Sequence, residues 1–323
     1  MSDLKLLKMM ADGGFHSGDI LGEKLGISRA GVWKQIKKLQ SLGFDIYSIR
    51  GKGYRLSEPL SLLDKEILQK GISAHTAESM SGLDVFGSID STNNYAMKMA
   101  SEGVSSGYFC LAERQFAGRG RRGRNWVSPF AKNVYMSCVW HFYSGAAALE
   151  GLSLAAGVAV VRALEKLGVN GITLKWPNDI YFEGKKLGGI LLEMTGDPSG
   201  HCQVVLGVGL NIAMPRGSGE AIEQPWTDLE SVAKIADRNV VVIHLIDELI
   251  LMLKEFESGG FLGFKDEWSG LDAFLGKNVV VSTGLSSQCG VALGVDGTGA
   301  LLLKTAEGVE EIKGGEVSLR PQE

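Results

Sequence analysis

Arg119, Arg121, Arg122 and Arg124 fall within six positions and alternate with Gly118, Gly120 and Gly123. Like charges crowd in this way when something strongly anionic is to be held, and the chain as a whole is acidic, with a formal charge of −4. Arginine brings a permanent, planar fork that fits carboxylates and phosphates. Glycine lets the backbone approach the anion and take the turn conformations such a loop needs. The chemistry to expect here is the neutralisation of a carboxylate, a phosphate or both.

Four other segments have the composition of site material. Ile89-Asp-Ser-Thr-Asn-Asn-Tyr95 joins an apolar run to a helical pattern. It predicts a helix cap, and its small polar side chains also suit a ligand with both donors and acceptors. Lys175-Trp-Pro-Asn-Asp179 reads as a turn at a strand end. Lys185-Lys-Leu-Gly-Gly-Ile-Leu-Leu-Glu193 runs from a basic turn into a buried strand, and Leu206-Gly-Val-Gly-Leu-Asn211 is a strand whose two glycines mark close approach of a ligand or another backbone. Gly118 to Gly123 formally fits G-x-G-x-x-G, but the dinucleotide reading fails. Asn125-Trp-Val-Ser-Pro-Phe130 does not continue as a helix, and no acidic residue about 20 positions on is present to hold a ribose.

These segments need a scaffold, and 323 residues with 45% hydrophobic content provide two or three domains with a substantial core. Glycine is abundant, 44 residues, which predicts many turns near ligands. No signal peptide or membrane-spanning stretch is expected. Cys110, Cys138, Cys202 and Cys289 are scattered, which points to reduced thiols in a cytoplasmic protein and to no dedicated metal site. Residues 1–56 hold ten Lys/Arg against five Asp/Glu, so a head of +5 sits on a remainder of −9.

That head reads as a winged helix-turn-helix. Leu4, Leu7 and Met10 share one helix face. Ser17 caps a second helix bearing Ile20, Leu21 and Leu25, closed by Gly26. Ser28 caps a third with Val32, Ile36 and Leu39 inward. Ser28, Arg29, Lys34, Gln35, Lys37 and Lys38 are the candidate DNA contacts on the third helix, and Lys52 is the candidate at the tip of a hairpin formed by residues 44–56. Residues 57–60 form a linker. At the other end, short strands at 279–282, 289–295, 300–304 and 309–313 predict a small β-barrel.

Taken in order and spacing, Gly-Arg-Gly-Arg-Arg-Gly-Arg, Lys-Trp-Pro-Asn-Asp, Lys-Leu-Gly-Gly-Ile and Gly-Val-Gly-Leu-Asn resemble the biotin–protein ligases. With the winged helix added, the whole chain is similar to the bacterial bifunctional biotin ligase and biotin operon repressors. The resemblance implies an α+β multidomain fold. Its parts are a winged helix-turn-helix (1–60), a mixed-sheet domain of the class II synthetase/biotin ligase type (61–272) and an SH3-like domain (273–323). It implies an ATP-dependent ligase that makes biotinyl-5′-AMP and passes biotin to a lysine of the biotin carboxyl carrier protein of acetyl-CoA carboxylase. It also implies a biotin-responsive repressor, a homodimer when adenylate-bound, on operator DNA.

Carried over by motif, Ser91, Thr92, Asn93 and Gln115 bind the ureido end of biotin. Arg119, Gly120, Arg121 and Lys186 meet the carboxylate and phosphate, Lys186 with Arg119 and Arg121 being the catalytic set. Gly189 and Trp126 wall the pocket, and Trp126, Asn178, Asn211 and Arg320 approach the nucleotide. Magnesium arrives on ATP, and biotin is both substrate and corepressor precursor. Residues 213–226 are expected to fold over the adenylate, with Trp226 taking part. Two rival readings stay open: a biotin-sensing repressor without ligase activity, and a lipoate–protein ligase.

Overall fold

The computed structural model describes residues 2–322 apart from 198, 220, 221, 284, 285, 315 and 316. The chain divides into two compact units, Met1–Leu62 and Leu63–Glu323.

The first unit has three helices, α1 (Ser2–Met10), α2 (Gly18–Leu25) and α3 (Arg29–Ser41), then a hairpin of β1 (Ile46–Ile49) and β2 (Gly53–Leu56). Ser17 caps α2 through the Ile20 amide and Ser28 caps α3 through that of Gly31. Gly26 ends α2 in the left-handed region, at φ 66°. Leu6, Leu7, Met10, Leu21, Val32, Ile36 and Leu39 form the core. Within α2, Leu21 and Gly22 are buried while Ile20 is half exposed. Gly53 lies at φ 99° against the backbone of His16, whose carbonyl an added Cβ would meet at 2.0 Å. That close approach lets His16 and Tyr54 exchange both backbone hydrogen bonds and fix the hairpin to the start of α2.

The second unit runs α4 (Lys65–Gly71), α5 (Ala74–Ala77), β3 (Gly82–Phe86), α6 (Thr92–Ser101), β4 (Tyr108–Ala112), β5 (Asn133–Phe142), α7 (Leu152–Lys166), β6 (Ile172–Lys175), β7 (Asp179–Phe182), β8 (Lys185–Gly196) and β9 (Cys202–Asn211). There follow α8 (Arg216–Gly219), α9 (Leu229–Ala233), α10 (Arg238–Gly259) and α11 (Lys265–Leu271). The seven strands form one mixed sheet in the order β3-β4-β5-β9-β8-β7-β6, with β3 and β4 parallel and the other neighbours antiparallel.

Strand alternation divides the work of the two faces. Phe109 and Leu111 of β4 and Val204, Leu206, Val208 and Leu210 of β9 join the large core with α7 and α10. Tyr108, Cys110 and Val205 point the other way and pack with Ala96 and Ala100 of α6. Residues 146–166 are long and apolar enough to cross a membrane, but α7 within them is a core helix. Five further strands, β10 (Asn278–Ser282), β11 (Ser287–Val295), β12 (Leu301–Lys304), β13 (Val309–Ile312) and β14 (Ser318–Pro321), make an antiparallel sheet ordered β13-β12-β11-β10-β14. β14 adds a strand beyond the four expected, pairing with β10 through Arg320 and Val280.

One buried ion pair ties these elements together. Glu113 and Arg238 are each 1% exposed, and Arg238 Nη1 donates to Glu113 Oε2. Glu113 Oε1 accepts from the amide of Leu63 at 2.6 Å, and Arg238 Nε donates to the carbonyl of Asn133 at 2.9 Å. Removing one member of a buried pair strands the other in a dry interior. Arg238→Met should therefore cost roughly 3–5 kcal/mol of unfolding free energy, read as a lowered urea midpoint. A loss under about 1 kcal/mol, the scale of an exposed pair, would contradict the role given to this contact.

Candidate functional site

The glycine-arginine loop springs from the end of β4 and returns at β5, on the α6 face of the sheet. Its first part pairs with residues 89–90, through hydrogen bonds from Phe116 N to Ile89 O and from Ala117 N to Asp90 O. Gly118 sits where an added Cβ would meet Gln115 Nε2, Ser128 Oγ and the Trp126 carbonyl, each at 2.9 Å. The tip is a tight turn closed by Gly120 N to Arg124 O at 2.7 Å, with Arg122 itself left-handed at φ 58°. Arg119, Arg122 and Arg124 are all exposed, and Arg121 is half-buried; Arg119 and Arg121 are the two whose guanidinium groups bond other parts of the fold.

They reach to different places. Arg119 Nη2 donates to both oxygens of Glu193 at 3.0 and 3.2 Å and also to Asn94 Oδ1. Arg121 Nη1 donates to Asn178 Oδ1 at 2.9 Å and its Nη2 to the Val317 carbonyl at 3.3 Å. Arg121 and Asn178 also border a cavity of about 460 Å³ whose walls include Ser153, Ile190, Gly299 and Lys313. Arg119 and Arg121, expected at the carboxylate and the phosphate, hold separate partners in this structure.

A polar cluster forms at the start of α6. Ser91 is its N-cap, and Thr92 donates to Gln115 Oε1 through its amide at 2.7 Å and its hydroxyl at 3.0 Å. Asn93 donates to Glu193 Oε2 at 2.8 Å and accepts from Ser137 Oγ at 2.6 Å, and that hydroxyl also lies 2.8 Å from Thr92 Oγ1. Ser91, Thr92 and Asn93 are all buried. The helix-cap reading and the ligand-lining reading of this segment are therefore compatible.

The floor beside the cluster is glycine for a steric reason. An added Cβ at Gly207 would lie 2.2 Å from Asn93 Oδ1, and one at Gly209 would lie 2.6 Å from the Trp126 ring. Gly189 faces the same ring at 3.4 Å. The indole lies flat on this floor, its Nε1 buried with no hydrogen-bond partner. Lys186 Nζ sits 5.5 Å from the ring centroid and 2.6 Å from Asp179 Oδ1, both side chains largely buried at 16% and 14% exposure. Lys186 is thus no solvated turn lysine.

Lys175, 3.1 Å from the Tyr181 hydroxyl, stands behind it. Burial pushes its ammonium below the ordinary lysine range. Asp179 opposes that shift, while the positive fields of Lys186, Arg320 and Arg124 add to it. Asn211, at the end of β9, donates to the Thr227 carbonyl at 3.1 Å. The segment after it is anchored at its far end, where Lys186 N donates to Pro225 O and Thr227 N to Lys186 O, both at 2.9 Å, and Trp226 packs on Gly219. Residues 220 and 221 of this segment lie outside the described residues.

Lys175, Asp179 and Glu193 end the named segments but carried no assigned role, and Ser128 and Ser137 carried none either; the structure brings all five beside the cluster and the glycine floor. The period of two along β8 offers a signal for Glu193, four residues beyond Gly189 and on the same face. Ser137 lies on β5, and only sheet register brings it opposite Gly207. Burial raises the thiols of Cys110 and Cys138, so neither serves as a nucleophile. Among the described residues no group of three or more His, Cys, Asp or Glu is placed to hold a metal.

In the first unit, Arg29, Lys34, Lys37 and Lys38 are exposed along α3 and Lys52 at the hairpin turn. Ser28 spends its hydroxyl on the helix cap. Gln35 is half-buried, with its Oε1 buried and without a hydrogen-bond partner.

Three family models match the chain: an HTH domain over residues 3–55, the Biotin/lipoate A/B protein ligase family over 85–211, and the Biotin protein ligase C terminal domain over 274–320. Fold and site together define a protein ligase that carries its own DNA-binding head. The bifunctional ligase/repressor BirA of Escherichia coli is 42% identical over 99% of this chain and 98% of its own length. That of Salmonella typhimurium is 41% identical with the same coverage. A solved structure of the biotin protein ligase from Aquifex aeolicus in complex with biotin and ATP, 31% identical, superposes with a TM-score of 0.65 over 75% of this chain and all of that one. The chain belongs to the bifunctional ligase/repressor family.

Gly209→Ala should expel Trp126 from the glycine floor. Its fluorescence should shift to the red, and the overpacking should cost about 1–3 kcal/mol of stability. Emission and stability unchanged from the parent would contradict the contact.

Proposed function

We propose that this chain activates biotin with ATP to biotinyl-5′-adenylate, transfers the biotin to a lysine of the carrier protein of acetyl-CoA carboxylase, and represses transcription in response to biotin. The observation that carries the ligase reading is Lys186: a largely buried ammonium beside a glycine floor, under an indole, with an arginine loop overhead. The membership of the family over nearly the full length supports both functions.

In the first step the biotin carboxylate attacks the α-phosphorus. A new O–P bond forms, the α–β phosphoanhydride bond breaks, and pyrophosphate leaves with the electron pair. Two anions must meet, so the principal task is electrostatic. Thr92, Asn93 and Gln115 present the donors and acceptors suited to the ureido ring, with Ser91 fixing the cap beneath them. Arg119, Arg121 and the Gly120 backbone take the carboxylate and phosphate, and Lys186 bonds the oxygens on which charge develops. Trp126 and Gly189 wall the pocket, while Asn178, Asn211 and Arg320 lie on the nucleotide side. Magnesium enters on ATP and offsets phosphate charge. In the second step the carrier's lysine amine attacks the acyl carbonyl, an amide forms, AMP departs, and the amine loses its proton. The acceptor lysine is itself the nucleophile, so no triad is needed.

Arg119 and Lys186 both hold internal carboxylates, Glu193 and Asp179. Binding is then an exchange, in which the ligand's anions replace the protein's own. Residues 213–226 complete the site by folding over the adenylate with Trp226. The adenylate-bound chain forms a homodimer on a two-fold operator, in the cytoplasm, where the four free cysteines stay reduced.

Biotin-dependent exchange of labelled pyrophosphate into ATP tests the enzyme. No exchange would leave only a biotin-sensing repressor, and exchange with lipoate in place of biotin would make the chain a lipoate ligase. Lys186→Ala should lower exchange by about 10²–10³-fold, as the loss of one oxyanion donor does elsewhere, with an unchanged circular dichroism spectrum. A near-normal rate would remove Lys186 from the mechanism. Glu193→Gln should release Arg119 and tighten biotin binding up to about fivefold, the ceiling for a partly exposed pair, in titration calorimetry. Weaker binding would show that Glu193 serves the ligand instead.

A further inference from the structure

The third helix of the head carries one residue that phosphate binding does not explain. Val32, Ile36 and Leu39 turn inward, and Arg29, Trp33 and Lys37 form an outward ridge at four-residue spacing. Trp33 is 51% exposed, with Lys37 Nζ 6.0 Å from its ring centroid. Trp is a middling helix former, so propensity does not call for it here. An indole left in water forgoes the burial that a large aromatic normally obtains. Cations alone suffice to follow the sugar-phosphate backbone, which carries no sequence information directly. A large apolar ring among those cations needs an apolar surface within an anionic partner.

Duplex DNA has one such surface in the groove that admits a helix: the 5-methyl group of thymine. The basic head on an acidic body supplies the charge complementarity for that partner, and the Oε1 of Gln35, the helix's one amide in the expected contact set, is buried. Resting on the repressor reading above, we infer that Trp33 is a specificity-determining residue that reads thymine methyl groups in the major groove of the operator. Arg29 and Lys37, on either side along the ridge, anchor flanking phosphates.

The test uses the full-length chain with saturating biotin and ATP, and a duplex selected by it from a random-sequence pool. Each thymine of the selected site is replaced in turn by uracil, which removes only the methyl group. At one or two positions in each half-site, affinity should fall about fourfold per methyl lost, the value of one buried methylene-sized group. Trp33→Ala should bind the thymine duplex more weakly and show no further loss with uracil at those positions, so the two changes are not additive. Adenylate synthesis should stay at the parent rate.

Equal uracil sensitivity in parent and Trp33→Ala, or none in the parent, would overturn the inference while leaving the repressor reading in place. A chain that selects no sequence at all would remove the repressor reading, and the role of Trp33 with it.

Discussion

The Glu113 carboxylate is the point from which the ligand-facing half of the molecule hangs. It sits at the residue after β4, where the arginine loop departs, and its backbone carbonyl accepts from Ala131, where that loop returns. Its partner Arg238 holds the Asn133 carbonyl, and the Asn133 side chain in turn accepts from Ile212 N, where the segment after β9 begins. The bases of the arginine loop and of the segment after β9 are thus both rooted on one ion pair with no access to water. Burying two charges is costly unless their remaining bonds are satisfied, and here the amide of Leu63 and the carbonyl of Asn133 serve that purpose.

Above these roots the sheet sets which face does chemistry. Period-two alternation sends the aliphatic residues of β9 to α7 and α10 and leaves Gly207 and Gly209 on the opposite face, where Asn93 and Trp126 need the space. One strand therefore builds core and site at once, and a shift of one residue in register would exchange them. The charges follow the same economy. Arg119 of the loop and Lys186 of β8 each face a carboxylate of the protein itself.

Much of this was legible from sequence because it is local. The caps of α2 and α3 and the inward face of α3 depend on residues within a few positions of one another. What stayed hidden is long-range: Glu113 and Arg238 are 125 positions apart, Arg119 and Glu193 are 74, and Asn93 and Ser137 are 44. The loop's composition does not reveal that Arg119 and Arg121 diverge, since the partners of Arg119 lie on α6 and β8 and those of Arg121 in the turn before β7 and just ahead of β14. β14 escaped because a four-residue edge strand carries little pattern of its own.

Trp126 fills the ground on which a ligand would lie. Its ring covers Gly209 and touches Gly189, yet its N–H has nothing to bond. An unsatisfied buried donor costs about 1–3 kcal/mol, so the ring is an imperfect occupant of its own pocket. In the ligand-free chain the ring keeps water off the glycine floor at the cost of one unmatched donor, which leaves that indole N–H as the single polar bond of the floor still to be made.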